Sequence, residues 1–344
     1  MNIEEKNNQP VDIVIPWVDG GDSSWQNEKA KYEPKEKDSA NDARYRDWDN
    51  LQYWFRSIEK YAPWVHKIHF VTWDHIPTWL NVNHPKLNIV NHRDYIPEKY
   101  LPTFSSHTIE LNLHRIKDLS ENFIYFNDDF YLNCPVKETD FFCDGLPTDI
   151  AALNVHCYFL ENPIQMVAIR DVGVINSHFD MKKQIKVNRN KWFNPQYGSL
   201  LLRTLALMTC PRFPGFYIAH TPQPYNKSTF TEVWDAEYEI LDQTCRHKFR
   251  EMTDVNQWVM KEWQIAKGAF MPRKKSFSRP FFLGVAAKNR RQVAEQAADV
   301  IRNSSIQTIC INDGKMPYED FLYCKEVVNM AFQEKFPDKC SFER

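Results

Sequence analysis

Between Leu101 and Phe130 the chain reads LPTFSSHTIELNLHRIKDLSENFIYFNDDF, and no other stretch constrains the fold as strongly. Ser105 and Ser106 are helix-start residues, and Ile109, Leu113 and Ile116 follow at the spacing of a buried helical stripe. Glu110, His114 and Lys117 recur at i, i+4 and i+7, which predicts a second, polar face on the same helix. The apolar run Phe123–Phe126 is short enough for a buried strand and stops abruptly at Asn127, Asp128 and Asp129. In α/β sheets ligands sit beyond the carboxyl ends of the strands, so the two aspartates are expected where a metal or a phosphate is handled.

The rest of the chain repeats this alternation. Val11–Val18 predicts an apolar strand closed by the turn Asp19-Gly20-Gly21-Asp22. An acidic, glycine-containing turn after a first strand suits a nucleotide or sugar contact, and it suits equally a role in which Asp19 only shapes the turn. Gln26–Asp42 is dense in charge without an apolar period and predicts a surface segment. Trp48, Leu51, Trp54, Phe55 and Ile58 mark a helix ended by Ala62 and Pro63. His66–Trp73 and Leu87–Val90 predict strands, with a short turn of helix over Ile76–Leu80 between them. Such alternation points to a parallel or mixed sheet covered by helices.

Beyond Cys134 the pattern is less regular. Strands are expected within Phe141–Asn162, helices over Ser199–Met208 and Asp254–Ala266, and a proline-rich, non-helical loop over Phe213–Lys227. Ile306–Ile311 predicts a late strand ending in Asn312 and Asp313, the same strand-then-Asn-Asp arrangement as Asn127 and Asp128. A last helix runs over Tyr318–Phe336. We expect a mobile start over residues 1–10 and then one α/β domain. Its core spans 11–140, a helix-rich, acceptor-side elaboration spans 141–305, and 306–344 returns to the core.

Composition narrows the function. A chain of 344 residues can bury a sizeable core, and a net charge of -2 gives no sign of nucleic-acid binding. Glycine is scarce, and neither GxGxxG nor GxxxxGK[ST] occurs, so phosphates must be held without a glycine-rich loop. The eight cysteines are scattered without a CxxC pair, which suggests neither a zinc ribbon nor a disulfide framework. The start MNIEEKNNQP is polar, and no apolar run approaches the length of a membrane span. The expected location is the cytoplasm, at most peripheral at the membrane. Arg273–Lys275 and Lys288–Arg291 are basic clusters that suit an anionic polymer, a membrane surface or simply solvated helix faces.

Several strings match a known family. DIVIPWVDG (12–20), RSIEKYAPWVHKIHFVT (56–72), LPTFSSHTIELNLHRI (101–116), FIYFNDD (123–129) and ICINDG (309–314) resemble signature regions of the Stealth proteins. AHTPQPY (219–225) and HKFR (247–250) resemble a further region more weakly as strings. That family includes bacterial capsule and cell-wall polysaccharide phosphotransferases and the animal lysosomal-enzyme N-acetylglucosamine-1-phosphotransferase. The resemblance implies transfer of an intact sugar 1-phosphate from a UDP-sugar to a hydroxyl, with release of UMP. It also implies a core similar to the nucleotide-sugar-binding (GT-A-like) fold of glycosyltransferases and a divalent metal, Mg²⁺ or Mn²⁺. Carried over residue by residue, the family's glutamate falls on Glu110, its aspartate pair on Asp128 and Asp129, its histidine on His220 and its arginine on Arg250. Pro16 and Asp19 depart from the animal members, and the long modules inserted in those members are absent, which favours a bacterial polysaccharide enzyme.

The chemistry assigns expectations to these residues. Attack on a donor phosphorus develops charge on oxygens, so the site must position reactants and supply positive charge. Asp128 and Asp129 offer hard ligands to a metal, and Asp313 is a further candidate ligand or a helix cap. His220 is the candidate general base, Arg250 the phosphate grip, and Glu110 an acceptor-binding or metal-supporting group. Asp19, Gly20, His114 and Arg115 are candidate donor contacts. The acceptor is expected to be an oligosaccharide or a lipid-linked glycan. The rival readings are a glycosyltransferase of similar fold that releases UDP, and a non-catalytic sugar-binding protein.

Overall fold

The computed structural model describes residues 9–33, 45–157, 164–284 and 289–344. The expected mobile start therefore falls almost wholly outside the described residues, as does the second half of the charged segment 26–42.

The first half alternates as the sequence predicts. It contains β1 (Val11–Pro16), α1 (Ser23–Tyr32), α2 (Leu51–Tyr61), β2 (Ile68–Thr72), β3 (Leu87–Asn91), α3 (His92–Tyr95), α4 (Ser106–Leu111), β4 (Asn122–Tyr125) and β5 (Phe130–Leu132). There follow β6 (Phe142–Cys143), β7 (Leu146–Asp149), α5 (Ile164–His178), α6 (Met181–Val187), α7 (Arg189–Trp192), α8 (Leu200–Leu207) and β8 (Gln223–Asn226). The chain ends with α9 (Lys227–Ala236), α10 (Tyr238–Arg246), α11 (Trp258–Lys267), β9 (Met271–Pro272), β10 (Ser278–Phe282), α12 (Arg290–Asn303), β11 (Thr308–Asn312) and α13 (Tyr318–Lys335).

The expected mixed α/β architecture is observed. The main sheet runs β3-β2-β1-β4-β8, with the first four strands parallel and β8 antiparallel at one edge. That edge is where a strand containing Pro224 can pair, since proline offers no N–H to a further neighbour. A second sheet, β10-β11-β5, joins the late strand β11 to the segment just after β4.

Both faces of the main sheet are buried, as parallel sheets require. Ile13 and Ile15 face a core shared with α2, α12 and α13, while Val14 faces one shared with α4, α5, α10 and α11. Asp12, fully buried in β1, pins the sheet. Its carboxylate contacts His66 at 2.8 Å and His69 at 3.1 Å, and it accepts from Lys67 N and Ser120 N. Burial alone would raise its pKa, but these hydrogen bonds win and hold it below the ordinary carboxylate value.

Local expectations fail where tertiary contacts override pattern. Ser23–Tyr32 is helical despite its charge, because Asp22 caps it and Trp25 anchors its inner side. Ile76–Leu80 is a turn, not a helix. The helix from Ser106 stops at Asn112 and continues as a 3-10 turn over Leu113–Arg115. The face expected to hold Glu110, His114 and Lys117 together is therefore broken. Of the basic clusters, Arg273 is buried while Lys274 and Lys275 are exposed, Arg290 and Arg291 pair with Asp320, and Lys288 lies outside the described residues.

Candidate active site

At the carboxyl ends of β1, β4 and β11 the two sheets open into one cleft of about 1750 Å³. Glu110, Asp128, Asp129, His220, Arg250 and Asp313 all line it.

Asp128 and Asp129 sit in the turn between β4 and β5, where Phe130 N donates to Asn127 O at 3.1 Å. The strand alternation that would send neighbours to opposite faces does not reach them, and both meet the cleft. Asp128 is open to cleft water, yet protein walls surround it. Desolvation by those walls, and next the neighbouring Asp129 carboxylate, push its pKa up to about 7.

Asp129 is the hub. Its Oδ2 accepts from Asn312 Nδ2 at 2.9 Å, receives Cys310 Sγ at 3.4 Å and lies 4.0 Å from His220 Nε2. Asn312 Nδ2 is also 3.2 Å from His220 Nε2. With Nδ1 as the protonated nitrogen, Asn312 donates to the single lone pair of Nε2, which must be released before Nε2 takes another proton. His220 itself has φ +49°, an uncommon left-handed conformation for a non-glycine residue. That backbone turn directs the imidazole between Phe130 and Phe282, with ring centroids 5.2 and 5.8 Å away.

Glu110 occupies the other wall. It is buried, and Tyr125 Oη donates to its Oε1 at 3.1 Å. Arg250 is brought alongside by Phe249, which stacks on Phe104 at 5.4 Å, and by a hydrogen bond from Nη2 to Ser106 Oγ at 2.5 Å. Among the described residues no carboxylate pairs with Arg250.

His107 was not singled out from the sequence. Its Nδ1 is 2.8 Å from Asp254, whose other oxygen holds His247 Nδ1 at 2.7 Å, while its Nε2 is buried without a partner among the described residues and the residue lines the cleft. No local string could reveal this link, because Asp254 lies 147 positions away.

Four expectations need correction. Asp313 lines the cleft, but Arg46 grips its carboxylate in a bidentate pair (2.9 and 3.1 Å), and Trp48 Nε1 and Gly314 N donate to it as well. Its lone pairs serve that arginine rather than a metal or a helix cap. Asp19 shapes the turn by accepting from Gly21 N at 2.8 Å, and it does not line the cleft, which begins at Pro16–Val18. Gly20 packs against the Tyr45 backbone, where an added Cβ would come within 2.1 Å of an oxygen. His114 and Arg115 turn away beyond the break at Asn112. His114 packs near Phe230 and Trp234 with its pKa pushed down to about 3, chiefly by burial, and Arg115 lies over Trp234.

The residues present fit a divalent cation. Asp129 Oδ1 is buried with no hydrogen-bond partner among the described residues, an unsatisfied carboxylate oxygen of the kind a cation completes. Burial and, after it, the like charge of Asp129 raise Asp128, and a cation relieves the second of these. Asp129, His220 and Cys310 bring ligand atoms within 4.8 Å of one another. Burial and the nearby Asp129 push the Cys310 thiol well above its ordinary pKa, so it stands protonated. The carboxylates remain the hard ligands that suit Mg²⁺ or Mn²⁺.

Three conserved regions of Stealth proteins match this chain: region 1 at residues 9–37, region 2 at 44–148 and region 3 at 219–262. The chain belongs to the Stealth family. Capsular polysaccharide phosphotransferase WcwK of Streptococcus pneumoniae is 39% identical over 98% of this Stealth chain and 99% of its own length. Receptor polysaccharide phosphotransferase WefC of Streptococcus gordonii is 38% identical over 97% and 99%, and exopolysaccharide phosphotransferase cps2G of Lactiplantibacillus plantarum is 34% identical over 97% and 96%. Among solved structures, the galactosyltransferase LgtC with donor and acceptor sugar analogues aligns over 96% of this chain and 98% of its own, at 10% identity and TM-score 0.40. Region 2 of the Stealth pattern supplies Glu110, Asp128 and Asp129, and region 3 supplies His220 and Arg250. Asn312, Asp313 and Cys310 lie beyond all three regions.

Proposed function

We propose that this Stealth protein transfers a sugar 1-phosphate from a UDP-sugar, UDP-GlcNAc or another UDP-hexose, to a glycan hydroxyl, forming a phosphodiester and releasing UMP. The acceptor is a growing surface polysaccharide or a lipid-linked oligosaccharide, in the latter case reached by peripheral association with a membrane. The observation that carries this reading is the meeting of Glu110, Asp129, His220 and Arg250, distant in sequence, in one cleft. Full-length relatives named as polysaccharide phosphotransferases support the reaction class.

The cleft is larger than the several hundred Å³ of a typical single-ligand pocket, which suits a nucleotide sugar and a glycan together. Trp17, Trp25 and Tyr45, beside the end of β1, form an aromatic wall suited to a uracil base. Arg250, paired with no carboxylate among the described residues, grips a phosphate through its planar fork. A cation held by Asp128 and Asp129 would neutralise charge on the diphosphate.

In the reaction, the acceptor oxygen bonds to the phosphorus that carries the sugar. The bond from that phosphorus to the bridging oxygen breaks, and UMP leaves with the electron pair. The acceptor's proton passes to His220 Nε2, and Asp129, 4.0 Å away, stabilises the imidazolium that forms. Glu110 orients an acceptor or sugar hydroxyl, its own position fixed by Tyr125. Chromatography of the nucleotide products tests this reading: UMP formed in step with acceptor modification supports it, and stoichiometric UDP makes the protein a glycosyltransferase instead.

A further inference from the structure

The segment that carries α6, α7 and α8 differs in charge from the rest of the chain. From Met181 to Leu207, which spans the three helices, the sequence holds six lysines and arginines and no aspartate or glutamate, with Asp180 just before it capping α6, although the whole chain has a net charge of -2. Lys182, Lys183, Lys186 and Arg189 are exposed, and none forms an ion pair among the described residues. Lys275 joins them at the start of α8, where its Nζ lies 3.5 Å from Ser199 Oγ.

The same helices also expose apolar side chains. Leu202 and Leu205 are one helical turn apart on α8 and are 73% and 52% exposed, and Val187, which ends α6, is 73% exposed. Between the two leucines, Arg203 lies over the Tyr217 ring at 5.5 Å, with its Nε and Nη2 buried and without a partner among the described residues. Leucines facing water beside unpaired cations cost free energy in solution, and they match a bilayer interface whose headgroups are anionic.

We propose that the α6–α8 surface docks on a bilayer containing anionic phospholipid, with Leu202 and Leu205 entering the headgroup region and the surrounding lysines and arginines meeting phosphates. A soluble polyanion would use the cations and leave the leucines in water. A protein partner would have to supply an apolar socket ringed with acids, both of which a bilayer offers by composition.

The placement connects with the cleft. Thr204 Oγ1, on the inner side of α8, accepts from Leu153 N at 3.1 Å, and the next residues, Asn154 and Val155, line the cleft wall. Docking would therefore bring the cleft to the membrane surface, where a lipid-linked acceptor resides. That use rests on the transfer reaction proposed above, whereas the docking itself does not.

The test sediments the full chain with vesicles of phosphatidylcholine, with or without phosphatidylglycerol. Binding is expected only to the anionic vesicles, weakening with salt. Leu202→Asp with Leu205→Asp should lower it by about tenfold or more, and each of Lys182→Glu, Lys183→Glu and Lys186→Glu by about fivefold or more. UMP release with a soluble acceptor should be unchanged in all of these variants, which also reports that they fold. Leu202→Ala with Leu205→Ala serves if the charged pair does not fold. Failure of the wild type to bind anionic vesicles overturns the proposal. So does binding indifferent to the leucine variants, which would indicate a soluble polyanion or a purely electrostatic contact, and so does capture of an acidic protein without lipid binding. Absence of UMP in a protein that still binds vesicles would refute the transfer reaction and leave the docking surface standing.

Discussion

Two strands of this protein end in the same words and serve different ends. β4 is followed by Asn127-Asp128-Asp129, and β11 ends in Asn312-Asp313. Among the described residues the first pair of carboxylates has no lysine or arginine paired with it; burial and the neighbouring Asp129 raise Asp128, and Asp129 Oδ1 is unsatisfied. The second carboxylate is closed off by Arg46, 267 residues earlier in the chain, and by Trp48. Even the asparagines divide the work: Asn127 meets Tyr125, while Asn312 ties Asp129 to His220. A strand-end Asn-Asp is therefore only an opening. What the rest of the fold brings to it decides whether it becomes a charged site or a structural clasp.

The largest effects should come from the uncompensated side. Asp129→Ala should lower the rate of UMP release by about 10³-fold or more, and His220→Ala by about 10²–10⁴-fold, each with an unchanged circular dichroism spectrum. Activity near wild type in either would erase the distinction drawn between the two strand ends. Asp313→Ala should instead act mainly on stability. It strands the partly buried Arg46 and should cost about 1–3 kcal/mol in denaturant unfolding, with a rate effect well short of that of Asp129→Ala.

A smaller effect separates the two through pH. Asp128 has a folded pKa of about 7 against an ordinary value of 3.8, so the fold holds this proton more tightly than the unfolded chain does. Its contribution to stability is present in full below about pH 4 and is lost as pH rises through about 7. Without added metal, the wild type should lose melting temperature over that interval relative to Asp128→Asn, and Mg²⁺ should restore it. Identical profiles for the two proteins would contradict the uncompensated pair. The smallest effect belongs to Asp19, outside the cleft: Asp19→Asn should change stability by no more than about 0.5 kcal/mol and leave the affinity for the nucleotide sugar unaltered.

The sequence made the strand ends legible, and with them Asp128 and Asp129, because a buried apolar run followed by acids has few other readings. The parallel core was legible for the same reason, since its strands are short and apolar and a helical period separates β1 from β2 and β3 from β4. Partners set by long-range contact were not. Nothing near Asp313 announces Arg46, and nothing near His107 announces Asp254. The break at Asn112 was also hidden, because Ile109, Leu113 and Ile116 keep a helical spacing while Asn112 hydrogen-bonds back to Thr108 O and the chain turns into a 3-10 segment. That one turn sends His114 and Arg115 into packing and leaves Glu110 in the cleft. His220 and Arg250 came through resemblance alone, as a proline-rich loop and a charged turn carry no period to read.

The most direct test follows the phosphorus that bears the sugar. A UDP-sugar labelled with ³²P at the β-phosphate, incubated with the protein, Mg²⁺ or Mn²⁺ and a glycan acceptor, should pass its label to the acceptor, with unlabelled UMP left behind. Label recovered in UDP, with the acceptor unlabelled, would contradict the account.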